Sequence, residues 1–77
     1  MAFPENLKRL RKQNGLSQTE LAEKCGVTQQ AIDRYERDLM KPNILVGVYI
    51  AHALGTTVEE LVQRKDWFYE RNETLKA

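Results

Sequence analysis

The stretch Ser17–Arg37, SQTELAEKCGVTQQAIDRYER, holds two helix starts with a glycine between them. Ser17-Gln18-Thr19-Glu20 is an S-x-x-E capping box, in which the serine hydroxyl and the glutamate carboxylate satisfy each other's free backbone N–H groups. Leu21 and Ala22 then face inward, Cys25 lies near the helix end, and Gly26 offers the left-handed stop that helices favour. Thr28 is a good N-cap for the next helix. Ala31, Ile32 and Tyr35 supply its inner face at i, i+1 and i+4, while Gln30, Arg34 and Arg37 share another face at i, i+4 and i+7. Two short helices therefore meet across the turn Gly26-Val27, and Gln29 and Gln30 fall in the exposed first turn of the second. Taken alone, these glutamines have two readings: solvated helix surface, or amides placed to read a partner.

The same punctuation divides the rest of the chain. Pro4 suits a first helical turn, and ENLKRLRKQN follows with Leu7 and Leu10 on one face, Phe3 one turn before, and a stop at Gly15. Asp38 to Pro42 breaks the helical pattern. Asn43 can cap a fourth helix, Ile44 to Leu54, ended by Gly55. Thr57-Val58-Glu59-Glu60 is a second capping box, opening a helix with Val58, Leu61 and Val62. No strand pattern or internal repeat is present. The expectation is an all-α, compact bundle of five short helices, with connections of two to six residues. The last stretch, DWFYERNETLKA, adds either a helix capped by Asp66 or a packed tail. Residues 1–64 read as the domain and 65–77 as an aromatic tail for packing or dimerisation.

Composition bounds the function classes. A chain of 77 residues is one domain, and at that size about 60–65% of the unfolded surface is buried on folding. An apolar fraction of 42% beside 30% charged residues is ordinary for a globular protein. One Cys and one His leave no ligand set for a structural zinc site within one chain and no disulfide framework. No run approaches the roughly 20 apolar residues that span a membrane, and MAFPENLKRL lacks a signal-peptide core. A reduced, cytoplasmic protein is expected, with no membrane, no cofactor and no evident small-molecule ligand. The net charge is only +1, but residues 1–41 hold eight Lys/Arg against six Asp/Glu, so the weak basic surplus lies in the first half. No convergent catalytic constellation is evident, which argues against an enzyme.

Two helices joined by a tight turn containing glycine form the helix-turn-helix arrangement, whose second helix lies in the DNA major groove. LRKQNGLSQTELAEKCGVTQQAIDRYERD, then KPN and IAHALGTTVEELV, resembles the Cro/C1-type (Xre-family) helix-turn-helix domain over roughly Asn6 to Val62. The blocks L-S-Q-x-x-L-A, G-V-T-x-x-x-I-x-x-Y-E-R, K-P and A-L-G-x-x-x-x-x-L agree in order and spacing. The resemblance implies a lambda-repressor-like fold with the helix-turn-helix at 17–37 and the recognition helix at 28–37. The TQQ that starts this helix is similar to that of lambdoid phage repressors. By that similarity Gln29 and Gln30 are base readers, Gln18 meets a phosphate and braces Gln29, and the cap residues Ser17 and Thr28 lie against phosphates. A glutamine amide carries a donor and an acceptor in one plane, which matches adenine N6 and N7. Free N–H groups at a helix N-terminus suit phosphate oxygens.

Arg34, one turn after Gln30, can reach either guanine or a phosphate, and Arg37, Lys41 and Asn43 are placed for the backbone beside the groove. Asp33 either pairs with Arg37 at i+4 or accepts from cytosine N4. Arg11 and Glu36 match positions that often form an ion pair in this family and are therefore assigned to structure. Lys8, Arg9 and Lys12 read as a solvated face or as a phosphate contact. Cys25 reads as a small buried hydrophobe rather than a redox sensor.

The fourth helix departs from the family pattern, because ILVGVYIAHAL is apolar nearly all round. Ile44, Val48, Ala51 and Leu54 fit the inward stripe, and Gly47 leaves a notch. Leu45, Tyr49 and His52, at i, i+4 and i+7, stand where charged residues are usual, and such a stripe needs a cover. Trp67, Phe68 and Tyr69 are candidates to cover it within the chain. The other cover is a second copy, through an isologous interface built from Leu45, Tyr49, His52, Trp67 and Phe68. The function expected is a homodimeric, double-stranded-DNA-binding transcriptional regulator, most simply a repressor on a pseudo-palindromic operator. The alternative is a protein-interaction module, such as the antitoxin of a toxin–antitoxin pair, with another protein as partner.

Overall fold

A computed structural model describes residues 3–62. Five helices follow one another: α1 (Phe3–Gln13), α2 (Gln18–Cys25), α3 (Gln29–Glu36), α4 (Ile44–Ala53) and α5 (Val58–Val62). No strand occurs among the described residues, and the all-α bundle of five short helices expected from the sequence is the architecture observed. Trp67, Phe68 and Tyr69, and with them the proposed tail or sixth helix, lie outside the described residues.

The core is a single cluster built from one face of each helix. Phe3 and Leu7 of α1, Leu21, Ala22 and Cys25 of α2, Ile32 and Tyr35 of α3, Ile50, Ala51 and Leu54 around α4, and Leu61 of α5 are all buried. Phe3 and Tyr35 set their rings at 59° with centroids 6.5 Å apart, a tilted arrangement that favours aromatic pairs. α3 packs against both α1 and α2, so its inner face is fully engaged and its opposite face is free. Two polar residues are buried beside the core, Arg11 and Asn6. Asn6 donates through Nδ2 to the Leu61 carbonyl at 2.9 Å and accepts from Arg9 at 3.1 Å. That amide ties α1 to α5 from the face it shares with Phe3, Leu7 and Leu10, a role the sequence reading did not assign to it.

The starts of α2, α3 and α4 are capped as the sequence predicts. The Ser17 hydroxyl accepts from Glu20 N–H at 3.0 Å while Glu20 Oε1 accepts from Ser17 N–H at 2.8 Å, a complete capping box. Thr28 Oγ1 accepts from Ala31 N–H at 3.1 Å, and Asn43 Oδ1 from Val46 N–H at 2.9 Å. The second box is only half formed: Thr57 Oγ1 accepts from Glu60 N–H at 3.1 Å, but the Glu60 carboxylate takes the Thr56 hydroxyl at 2.8 Å instead. Between α2 and α3, Gly26 adopts φ +74°, and a Cβ there would meet nothing within 4 Å. Glycine is required at this turn for its backbone conformation, not for space.

The phase of α4 differs from the sequence expectation. Ile44 and Val48, placed in the inward stripe, are 50% and 46% exposed, whereas Gly47 and Ile50 are buried beside Ala51 and Leu54. The true inward stripe is therefore 47, 50, 51 and 54, at i, i+3, i+4 and i+7. A helix with apolar residues on every side offers no periodic contrast, so its rotation is decided by what its neighbours accept. Here α2 and α5 take the face with the glycine and alanine.

Candidate nucleic-acid interface

The N-termini of α2 and α3 are linked by side chains into one polar array. Its root is the ion pair between Arg11 of α1 and Glu36 of α3. Arg11 Nε donates to Glu36 Oε2 at 2.6 Å and Nη2 donates to Oε1 at 3.1 Å, a bidentate pair of the kind that holds both partners in one geometry. Arg11 Nη1 donates to the Leu16 carbonyl at 2.8 Å. The two side chains are only 10% and 3% exposed. The family-derived expectation of an Arg11–Glu36 pair is met.

Glu36 Oε1 also accepts from Gln18 Nε2 at 3.1 Å, and Asp33 Oδ1 lies 3.4 Å from the same nitrogen. On the other side of that amide, Gln18 Oε1 accepts from Gln29 Nε2 at 2.6 Å. Gln18 therefore braces Gln29, as the resemblance implied, and both side chains are half-buried rather than free. The contact of Gln18 with Asp33 and Glu36 was not foreseen. The only sequence signal for it was that Asp33 and Glu36, i and i+3, share the side of α3 that faces α2.

Gln30 and Arg34 are exposed on the outer face of α3. Arg37 is exposed too, and its Nη1 donates to Asp33 Oδ2 at 3.1 Å across one helical turn, so of the two roles weighed for Asp33, pairing with Arg37 is the one observed. That bond is the main reason the Asp33 carboxyl is held below its ordinary range. Desolvation opposes it, and the Gln18 amide and the charges of Arg37 and Arg34 add to it. Lys41 and Asn43 are exposed in the connection before α4, the latter with its side chain already engaged as a cap. Between them Pro42 is fully buried and pins that connection to the body of the protein.

A second surface lies on α4. Leu45, Tyr49 and His52 are exposed as expected, and the altered phase adds Ile44 and Val48 to the same apolar face. Leu39 and Met40, just before α4, are also exposed. Trp67 and Phe68, assigned to this surface from the sequence, lie outside the described residues. Among the described residues no cluster of His, Cys, Asp and Glu could hold a metal ion, and no helix is long and apolar enough to cross a membrane.

Two short helices crossing at a left-handed glycine turn, with the second presenting an uncovered polar face, define a helix-turn-helix protein. A profile of the helix-turn-helix family matches residues 7–61, and the chain belongs to the Cro/C1-type helix-turn-helix family. It is 34% identical over 61 residues to the HTH-type transcriptional regulator YqaE of Bacillus subtilis, covering 79% of this chain and 53% of the relative. The chain thus spans about half the length of that protein. Among solved structures, the P22 c2 repressor in complex with a synthetic operator superposes with TM-score 0.79 at 25% identity, over 82% of this chain and 96% of the other. The biofilm regulator SinR in complex with DNA superposes with TM-score 0.73 at 33% identity, over 77% and 95%.

Proposed function

We propose that this chain is a sequence-specific regulator of transcription that binds double-stranded DNA with α3 in the major groove. It acts as a homodimer on a pseudo-palindromic operator, in the cytoplasm at the nucleoid, and represses by occupying DNA. The observation that carries this reading is the braced amide array: Gln29 is held by Gln18 at 2.6 Å beside an exposed Gln30 and Arg34. A solvated helix surface has no need of a side chain fixed through three helices to a buried ion pair. The P22 c2 and SinR complexes with DNA support the same direction.

In this reading Gln29 and Gln30 contact base edges, and Ser17, Gln18 and Thr28 lie against phosphates at two helix N-termini. Arg34, Arg37, Lys41 and Asn43 flank them. Two recognition helices of a dimer enter successive major grooves about 34 Å apart. The dimer forms through the apolar face of α4 around Leu45, Tyr49 and His52, with Trp67 and Phe68 contributing from the tail.

Selection of binding sites from random duplexes tests the proposal. The expected outcome is an enriched inverted repeat, with binding that falls steeply as salt rises because phosphate contacts release counterions. Gln29→Ala and Gln30→Ala should each flatten preference at particular base pairs by about 1–3 kcal/mol. Recovery of no motif would sink the proposal. It would favour the second reading, a protein-interaction module, whose supporting observation is the uncovered apolar face of α4.

A further inference from the structure

We propose that the buried Arg11–Glu36 pair sets the donor–acceptor direction of the Gln29 amide through Gln18, and thereby makes Gln29 select adenine over guanine. The inference rests on the proposal that Gln29 reads a base edge. Its physical basis is a one-way chain of hydrogen bonds. Glu36 is a carboxylate and has no hydrogen to give. The amide that meets its Oε1 at 3.1 Å must turn its NH2 inward, since the opposite orientation would set two acceptors together. Asp33 Oδ1, 3.4 Å from the same nitrogen, enforces the same choice.

The Gln18 carbonyl is then committed to the far side. There it accepts from Gln29 Nε2 at 2.6 Å, so Gln29 must offer its own NH2 to Gln18. One of that group's two hydrogens is engaged. What remains for the groove is one N–H and the carbonyl oxygen. Adenine presents one acceptor, N7, beside one donor, N6, and matches that pair. Guanine presents two acceptors, N7 and O6, and would set its O6 against the Gln29 carbonyl.

The relay cannot turn over easily, because its root is immobile. Arg11 uses three donor positions, two on Glu36 and one on the Leu16 carbonyl, and the Glu36 side chain is 3% exposed. Water has little access to replace a broken link. Glu36 is therefore a positioning residue for specificity, although it has no place on the surface that faces DNA.

Competition binding on the selected operator and its single-base variants tests this. Gln29→Ala first locates the base pair that Gln29 reads, as the one whose preference collapses. Glu36→Gln keeps its oxygen on the shorter 2.6 Å bond from Arg11 Nε and gives up the 3.1 Å bond from Nη2, so its NH2 faces Gln18. That reverses Gln18 and then Gln29, leaving both Gln29 hydrogens for the groove. The adenine-over-guanine preference at that one pair should fall roughly tenfold, with preferences elsewhere in the site retained. Gln18→Met leaves the ion pair intact and releases Gln29, so it should erode the same preference even if Glu36→Gln folds poorly. A merely structural Glu36 would weaken every sequence alike. If Gln29→Ala flattens a base pair while Gln18→Met and any folded Glu36→Gln protein keep its wild-type preference, the relay is overturned and the reading by Gln29 stands. If Gln29→Ala flattens nothing, both are overturned together.

Discussion

Charge pairs at two sites on α3 show how burial sets the worth of a contact. Arg11–Glu36 is shielded, with side chains 10% and 3% exposed, and truncating one partner leaves a buried charge unpaired. Glu36→Ala should therefore cost about 3–5 kcal/mol of stability in chemical denaturation. A loss below about 1 kcal/mol would mean that water screens the pair. Asp33–Arg37 is an exposed i, i+4 pair that solvent and salt screen, and its carboxyl titrates below the ordinary value of 3.8. Its small contribution is present above that value and is lost as pH falls through the lowered one. The legibility of the two pairs differs for the same reason. Spacing alone suggests Asp33 with Arg37, whereas Arg11 and Glu36 stand 25 residues apart and were paired only through the family resemblance.

Helix ends tell a similar story at the scale of the element. α1, α3 and α4 all finish with the paired backbone bonds of a left-handed cap: Gly15 and Leu16 N–H to the Lys12 and Arg11 carbonyls, Asp38 and Leu39 to Tyr35 and Arg34, Gly55 and Thr56 to His52 and Ala51. Two of these caps use glycine, but α3 places Asp38 at φ +62°. An L-residue there carries strain that glycine lacks. Asp38→Gly should stabilise the fold by about 0.5–1 kcal/mol, and it also removes a negative charge beside the proposed DNA surface. A raised denaturation midpoint checks the first effect, and tighter operator binding, with the gain greatest at low salt where the repulsion is least screened, checks the second. The starts and stops of helices were readable because Ser17, Thr28, Asn43, Gly15, Gly26 and Gly55 act on their own backbone neighbours. The rotation of α4 was not, since every side of it is apolar.

At the scale of the whole molecule, the exposed apolar face of α4 is the main unpartnered feature among the described residues. Ile44, Leu45, Val48 and Tyr49 are each about half exposed, a contiguous apolar patch of the kind that marks an interface. Tyr49→Lys places a charge at its centre. Analytical ultracentrifugation of the full chain should show a dimer for the wild type and a monomer for the variant; an unaltered dimer would remove this face from the interface. The core makes a separate prediction. Burial pushes both the Cys25 thiol and the Tyr35 phenol above their ordinary values of 9.0 and 10.0, with the Cys25 charge adding to the latter. The folded state thus holds these protons more tightly than the unfolded chain. That stability is fully present below the ordinary values and declines as pH rises past them. Urea midpoints should be level from pH 7 to 8 and fall above about pH 9, and Cys25→Ala should delay the fall. A midpoint unchanged at pH 10 would show these groups to be solvent-accessible.

Local chemistry along the chain was enough to determine that the described residues form five short helices, where these begin and end, and that two of them form a helix-turn-helix. Caps and glycine stops work within a few residues, and periodicity on α1, α2 and α3 distinguishes inside from outside. Tertiary structure alone decided which side of α4 is buried and that Asn6 joins α1 to α5 through the Leu61 carbonyl. It also decided how a carboxylate on α3 reaches, by way of Gln18, the orientation of Gln29. Those outcomes depend on groups from different helices competing for the same donors and the same space, and linear spacing carries no record of that competition.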